Sequence, residues 1–148
     1  MVRSTGIKKI NCAVFISGTG SNLRSLIQYA KKKNSPISIE IIISDNPKAK
    51  GLKFGNIFKI SKKVFNYKNK LTAEKNIILE IKNKKIKLIC LAGFMKILSK
   101  NFIKSFKGKI LNIHPSLLPK YKGLKTHERA ISNNEKYSGC TVHFVNYK

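Results

Sequence analysis

Residues 11–30 read NCAVFISGTGSNLRSLIQYA, and their apolar period changes partway along. NCAVFIS is a short continuous apolar run ending in a glycine-rich turn, the pattern of a buried strand. Beyond the turn, Leu23, Leu26, Ile27 and Ala30 recur at i, i+3, i+4 and i+7, the apolar stripe of a helix. A buried strand feeding a helix is the opening unit of an α/β sheet, and the chain goes on in that manner. ISIEIIIS (37–44), set off by Pro36 and rich in β-branched residues, predicts the next strand. SDNPKAKG (44–51) is a turn cluster opening a short helical stretch, and NIFKI (56–60) predicts a third strand. A lysine-rich connector follows. Ala73, Ile77 and Ile81 then mark a helix with Thr72 as its N-cap, and IKLICLA (86–92) reads as a strand covered on both faces. SKNFIKSF (99–106) predicts a short helix, KILNI (109–113) a strand, and SGCTVHFV (138–145) has strand composition. The expectation is one α/β domain over 1–148, with a doubly wound, mostly parallel sheet and right-handed crossovers.

Composition narrows the function. The net charge of +25 invites a nucleic-acid partner, yet 28 of the 31 basic residues are Lys and only Arg3, Arg24 and Arg129 are Arg. Geometric recognition of phosphates and bases favours the planar Arg fork, and no stripe here interleaves cations with aromatics. No nucleic acid is expected as a partner, while a positive field still attracts small anions. No apolar stretch has the length of a membrane span, and MVRSTGIKKIN carries no signal-peptide pattern, so no membrane is expected either. Cys12, Cys90 and Cys140 form no CxxC pair; Cys12 and Cys90 sit in apolar runs as small buried thiols, which suits a reducing cytoplasm. Oligomeric state leaves no mark on the sequence.

Two motifs carry chemistry. In ISGTGSNL (16–23) the glycines let backbone approach an anion, and the free N–H groups of the first helical turn point at it, with Ser21 and Asn22 as added donors. Leu23 stands where a dinucleotide fingerprint needs a third small residue, so the turn suits a single phosphate. In LNIHPSLLPKYKG (111–123), Asn112 and His114 are two apart on a strand and leave the same face. Pro115 biases His114 towards extended backbone. An amide donor beside an imidazole equips acyl-type transfer, the donor holding an oxyanion while the imidazole moves a proton. His127 and His143 have no metal-like spacing to His114, so no metal is expected.

ISGTGSNL, LAGFMKIL (91–98) and LNIHPSLLPKYKG, in that order and followed by TVHFV (141–145), resemble the phosphoribosylglycinamide formyltransferases from residue 10 on. The resemblance implies a Rossmann-like domain that moves a formyl group from 10-formyltetrahydrofolate, a co-substrate, to the amine of phosphoribosylglycinamide in purine biosynthesis. It implies that Thr19, Gly20, Ser21 and Asn22 hold the ribonucleotide phosphate. By the same resemblance the backbone of Met95, Lys96, Ile97 and Leu98 receives the pterin ring, with Leu91, Phe94 and Ile103 as apolar walls. Asn112 would donate to the formyl oxygen and His114 would transfer the proton. Lys70 and Lys96 stand where the family usually has Arg, and Lys70 is a further folate contact on that basis. Formyltetrahydrofolate hydrolases share the Asn-x-His core and are the alternative among enzymes.

The family pairs its His with an Asp a few residues beyond the HFV strand, whereas this sequence runs to Lys148 and its one Asp is Asp45. Nothing in the spacing of Glu128 or Glu135 aims either at His114. The expectation is therefore an N-terminal portion of the fold whose activity depends on that further Asp. A non-catalytic phosphate- or folate-binding remnant is the third alternative.

Overall fold

The structure, a computed structural model, describes residues 7–147. The opening apolar run forms β1 (Ile10–Ile16), and Ile16 and the residues back to Cys12 are all fully buried. A Gly-Thr-Gly turn leads to α1 (Ser21–Ala30), which buries Leu23 and Ile27 and returns the chain to β2 (Ile37–Ser44). A 3₁₀ turn, Lys50–Leu52, runs into α2 (Lys53–Phe58) and then β3 (Ser61–Val64). The second half holds α3 (Lys70–Asn83), β4 (Leu88–Leu91), α4 (Lys100–Ser105), β5 (Lys109–His114), α5 (Thr126–Ser132) and β6 (Thr141–Phe144).

The strands make one sheet in the order β3-β2-β1-β4-β5-β6. The first five are parallel, and β6 returns antiparallel to β5. Alternation along the strands splits the core in two. Val14, Ile16, Ile42 and Cys90 face α1 and α2 with Leu23, Ile27 and Phe54, while Ala13, Phe15, Ile43, Ile89 and Ile110 face α3 and α4 with Ile77, Ile81 and Phe102. Helices therefore cover both faces, as the sequence leads one to expect. The strand order reverses between β1 and β4, and the crevice beyond the carboxyl ends at such a reversal is where open α/β sheets bind ligands. Cys12 and Cys90 sit on those two strands as buried free thiols, their sulfurs 3.7 Å apart.

Two expectations are corrected. NIFKI is not a strand: Ile57 and Phe58 complete α2, with the Phe58 ring 6.1 Å from that of Phe54, and Lys59 ends the helix in the left-handed region at φ 55°. The third strand is SKKV, exposed at every position, because an edge strand needs only backbone pairing to β2. Thr72 is not the N-cap of α3: Asn69, extended at φ −113°, caps it by accepting the Thr72 amide at 3.0 Å. The same bond type opens α4, where Ser99 accepts from the Phe102 amide. Helix α5 answers to no element expected from the sequence.

Candidate active site

β5 carries the Asn–His pair out to the carboxyl end of the sheet. Antiparallel pairing sets Asn112 opposite His143 and His114 opposite Thr141. Across that register Asn112 Nδ2 donates to His143 Nε2 at 3.3 Å, while His143 Nδ1 donates to the Phe144 carbonyl at 3.1 Å. The carbonyl can only accept, so it fixes the His143 tautomer, leaves Nε2 as the acceptor, and turns the Asn112 amide with its NH₂ towards His143. One hydrogen of that NH₂ is engaged and the other remains for a ligand. His143 is thus a site residue that spacing along the sequence does not reveal, since it reaches Asn112 only through the antiparallel register.

His114 is oriented by backbone. Its Nε2 donates to the Tyr121 carbonyl at 2.9 Å, which leaves Nδ1 as the nitrogen with no partner among the described residues. Tyr121 aims that carbonyl from a left-handed backbone at φ 53°, a conformation that costs a non-glycine residue about 1–2 kcal/mol unless its surroundings hold it. They do hold it. Its hydroxyl donates to Glu135 Oε1 at 2.8 Å and accepts from Asn133 Nδ2 at 3.0 Å, and Arg129 stands 5.2 Å over its ring. Ser116 Oγ donates to the Lys120 carbonyl at 2.7 Å and closes the same loop. Lys120 Nζ reaches Glu135 at 2.9 Å; this ion pair first, and then the Tyr121 hydroxyl, lowers the Glu135 carboxyl below its ordinary range. Among the described residues no acidic side chain hydrogen-bonds His114.

Asn112 and His114 open into a groove of about 480 Å³. Leu91, Phe94, Met95, Lys96, Ile97, Leu98 and Ile103 line it, together with His143, Val145 and Tyr147. Every folate-site residue expected from the sequence is gathered there except Lys70, which opens α3 and does not line the groove. Phe94 anchors the 93–98 loop to the core, edge-on to Phe15 at 5.3 Å and to Tyr67 at 5.6 Å. The Tyr67 hydroxyl is buried without a hydrogen-bond partner; burial, then the carboxylates of Glu74 and Asp45, push its pKa up. In the loop itself the Met95 amide is taken by Ser17 Oγ at 2.8 Å. The amides of Lys96, Ile97 and Leu98 make no hydrogen bond within the described residues, so they are the donors available to a ligand.

The phosphate-loop residues lie at the turn between β1 and α1. Gly20 is the N-cap of α1, at φ 76° and with no side-chain cap, so Ser21 and Asn22, both exposed, begin a helix whose first amides are open. Gly20 is glycine for packing as much as for an anion: a Cβ there would lie 2.7 Å from Gly51 Cα and 3.3 Å from the Phe54 ring. Gly51 N–H donates to the Gly18 carbonyl at 2.9 Å and locks the turn to the 3₁₀ segment. Thr19 is exposed beside it. Asp45 serves this end of the sheet and not His114, accepting from Ser17 Oγ at 2.5 Å. Among the described residues no three His, Cys, Asp or Glu side chains gather as a metal site, and no helix is long and apolar enough to cross a membrane.

An open helix start, an oriented amide–imidazole pair and a groove with free amides thus stand at the carboxyl edge of a Rossmann-like sheet. Residues 10–148 match the family described as Formyl transferase, and the chain belongs to that family. It is 45% identical over 141 residues to the human trifunctional purine biosynthetic protein adenosine-3, covering 93% of this chain and 14% of that protein. It is also 45% identical over 143 residues to the phosphoribosylglycinamide formyltransferase of Haemophilus influenzae, covering 95% of this chain and 66% of that one. The crystal structure of phosphoribosylglycinamide formyltransferase from Brucella melitensis superposes with a TM-score of 0.88 at 42% identity, over 94% of this chain and 74% of that one. The chain thus spans a small part of the trifunctional relatives, and about two thirds to three quarters of these two bacterial ones.

Proposed function

We propose that the chain carries the catalytic pair and both substrate sites for transfer of the formyl group from 10-formyltetrahydrofolate to the amine of phosphoribosylglycinamide. The observation that carries this reading is the pair itself: Asn112 and His114 on one face of β5, each oriented by a partner, at the wall of a groove whose facing loop offers free amides. The phosphate is assigned to the open start of α1, with Thr19, Gly20, Ser21 and Asn22 around it. The folate is assigned to the 93–98 loop, its ring held by the amides of Lys96, Ile97 and Leu98 between Leu91, Phe94 and Ile103.

Asn112 then donates its free Nδ2 hydrogen to the formyl oxygen. That bond strengthens as the attacking amine turns the carbonyl carbon tetrahedral and the oxygen gains charge. His114 accepts the proton lost by the amine at Nδ1, the nitrogen its Tyr121 bond leaves open, and returns it to the departing folate nitrogen. The imidazolium so formed keeps its Nε2 donation to Tyr121. A cytoplasmic location and small-molecule substrates, with neither nucleic acid nor membrane as partner, go with this reading.

The test combines chain, ribonucleotide and 10-formyltetrahydrofolate with labelled formyl. Label appearing in the ribonucleotide, and only when it is present, supports the proposal. Label released as formate at the same rate without ribonucleotide would make water the acceptor and the hydrolase reading correct. Binding of both compounds with no turnover would leave a binding module. Appending the residues that follow the HFV strand in the bacterial relatives, and repeating the assay, tests the family's Asp directly.

A further inference from the structure

The 93–98 loop is held at both ends by hydrogen-bonded chains that end on carboxylates, Asp45 and Glu74, neither of which lines the groove. At its start, Ser17 Oγ donates to Asp45 Oδ1 at 2.5 Å and accepts from the Met95 amide at 2.8 Å. Asn46 Nδ2 braces the Ser17 carbonyl at 3.2 Å, and the Ser17 amide donates to the Gly93 carbonyl at 3.1 Å. At its far end, the buried Glu74 of α3 accepts from the Ser99 amide at 2.9 Å and from the Ser99 hydroxyl. Between the two clamps lie the residues whose amides are free, and Ile97 there is 85% exposed. An exposed peptide segment with no internal hydrogen bonds keeps one shape only if its ends are fixed, and a ligand that meets it prefixed does not bear the cost of ordering it.

We infer that Ser17 and Asp45 are positioning residues for the acyl donor's site: their hydrogen-bonded chain to Met95 fixes the loop that receives the donor's heterocycle. Glu74 and Ser99 do the same at the other end. The inference rests on the assignment of folate to this groove. Asp45 acts here as a hydrogen-bond acceptor for Ser17; its approach to Lys96 Nζ, at 3.8 Å with the lysine half exposed, is a weak ion pair.

The experiment measures tetrahydrofolate and ribonucleotide affinities, and amide hydrogen exchange at Met95, in the unsubstituted chain and in Ser17→Ala, Asp45→Ala and Asp45→Asn. Ser17→Ala and Asp45→Ala should weaken tetrahydrofolate about tenfold, equivalent to about 1.4 kcal/mol, with ribonucleotide affinity within about twofold. Met95 exchange should accelerate in both. Asp45→Asn keeps an acceptor for Ser17 and should recover most of the affinity. Were Asp45→Asn as weak as Asp45→Ala, the charge on Lys96 would be the agent and the inference overturned. Unchanged folate affinity in Ser17→Ala overturns it as well. If the unsubstituted chain binds no tetrahydrofolate, the folate assignment falls and the positioning role falls with it. Met95 exchange still reports separately whether the clamp holds the loop.

Discussion

Replacing Gly20 by alanine tests the turn on which the proposed anion site rests. Two costs follow from the geometry. Gly20 has φ 76°, where an L-residue with a Cβ is disfavoured by about 1–2 kcal/mol. Its new Cβ would also meet Gly51 Cα at 2.7 Å, a backbone atom that cannot swing aside as a side chain would. Overpacking of that kind costs about 1–3 kcal/mol, so Gly20→Ala should lose about 2–5 kcal/mol in all. At about 2–4 °C per kcal/mol for a domain near this size, the melting temperature should fall by roughly 4–20 °C. Gly18 supplies the control. A Cβ added there would meet no atom within 4 Å, and its φ is not positive, so Gly18→Ala should leave the melting temperature unchanged or raise it slightly. Thermal denaturation of the two variants beside the parent reads the difference. If Gly20→Ala melted within about 2 °C of the parent, the left-handed turn and its contact with Gly51 would both be wrong.

Asn112→Ala should lower turnover about 10²–10³-fold in an active form of the enzyme while leaving both substrate affinities within about threefold, as expected when an oxyanion donor is lost; a parallel rise in KM would make Asn112 a binding residue instead. Glu135, held by Lys120 and Tyr121, has its carboxyl below the ordinary 4.5. A depressed folded pKa means the link is intact above pH 4.5 and is lost as the pH falls through the lowered folded value. Tyr121 ring resonances in NMR should shift across that acid range in the parent, and should be flat in Glu135→Gln.

How much of this the sequence carried depends on what each feature needed. β1, α1 and β2 are legible because each buries a long regular set of residues, which periodicity reports directly. β3 escapes because SKKV buries nothing and is held only by its backbone at an edge. α5 escapes because it buries only Thr126 and Ala130, too little to print an apolar stripe. In the site, Asn112 and His114 share a face by the strand's period of two, which the sequence contains. His143 needed the antiparallel register of β6, and that is a fact of pairing between segments 31 positions apart. Tyr121 is harder still, since its contribution is a carbonyl aimed by a positive φ, and no side-chain pattern encodes that. Residue types and their spacing are legible in the sequence; partners that act through backbone or across the fold are not.

The reversal of strand order between β1 and β4 also sets when the site can come into being. Everything the glycine turn needs is close by: β1, α1, β2 and the Gly51 contact all lie within the first 51 residues. The groove is different, because the bond from Met95 to Ser17 closes a span of 78 residues and waits for β4 to dock against β1. Asn112 then waits for β5, and His143 for the return of β6. Closing such spans costs chain entropy before any contact repays it, which makes distant pairings late events in folding. A chain emerging from synthesis would thus hold a formed turn between β1 and α1 for some time before it had the groove. On the proposed assignment, ribonucleotide present during refolding would meet its site early and folate late, so the two ligands should differ in which kinetic phase they accelerate.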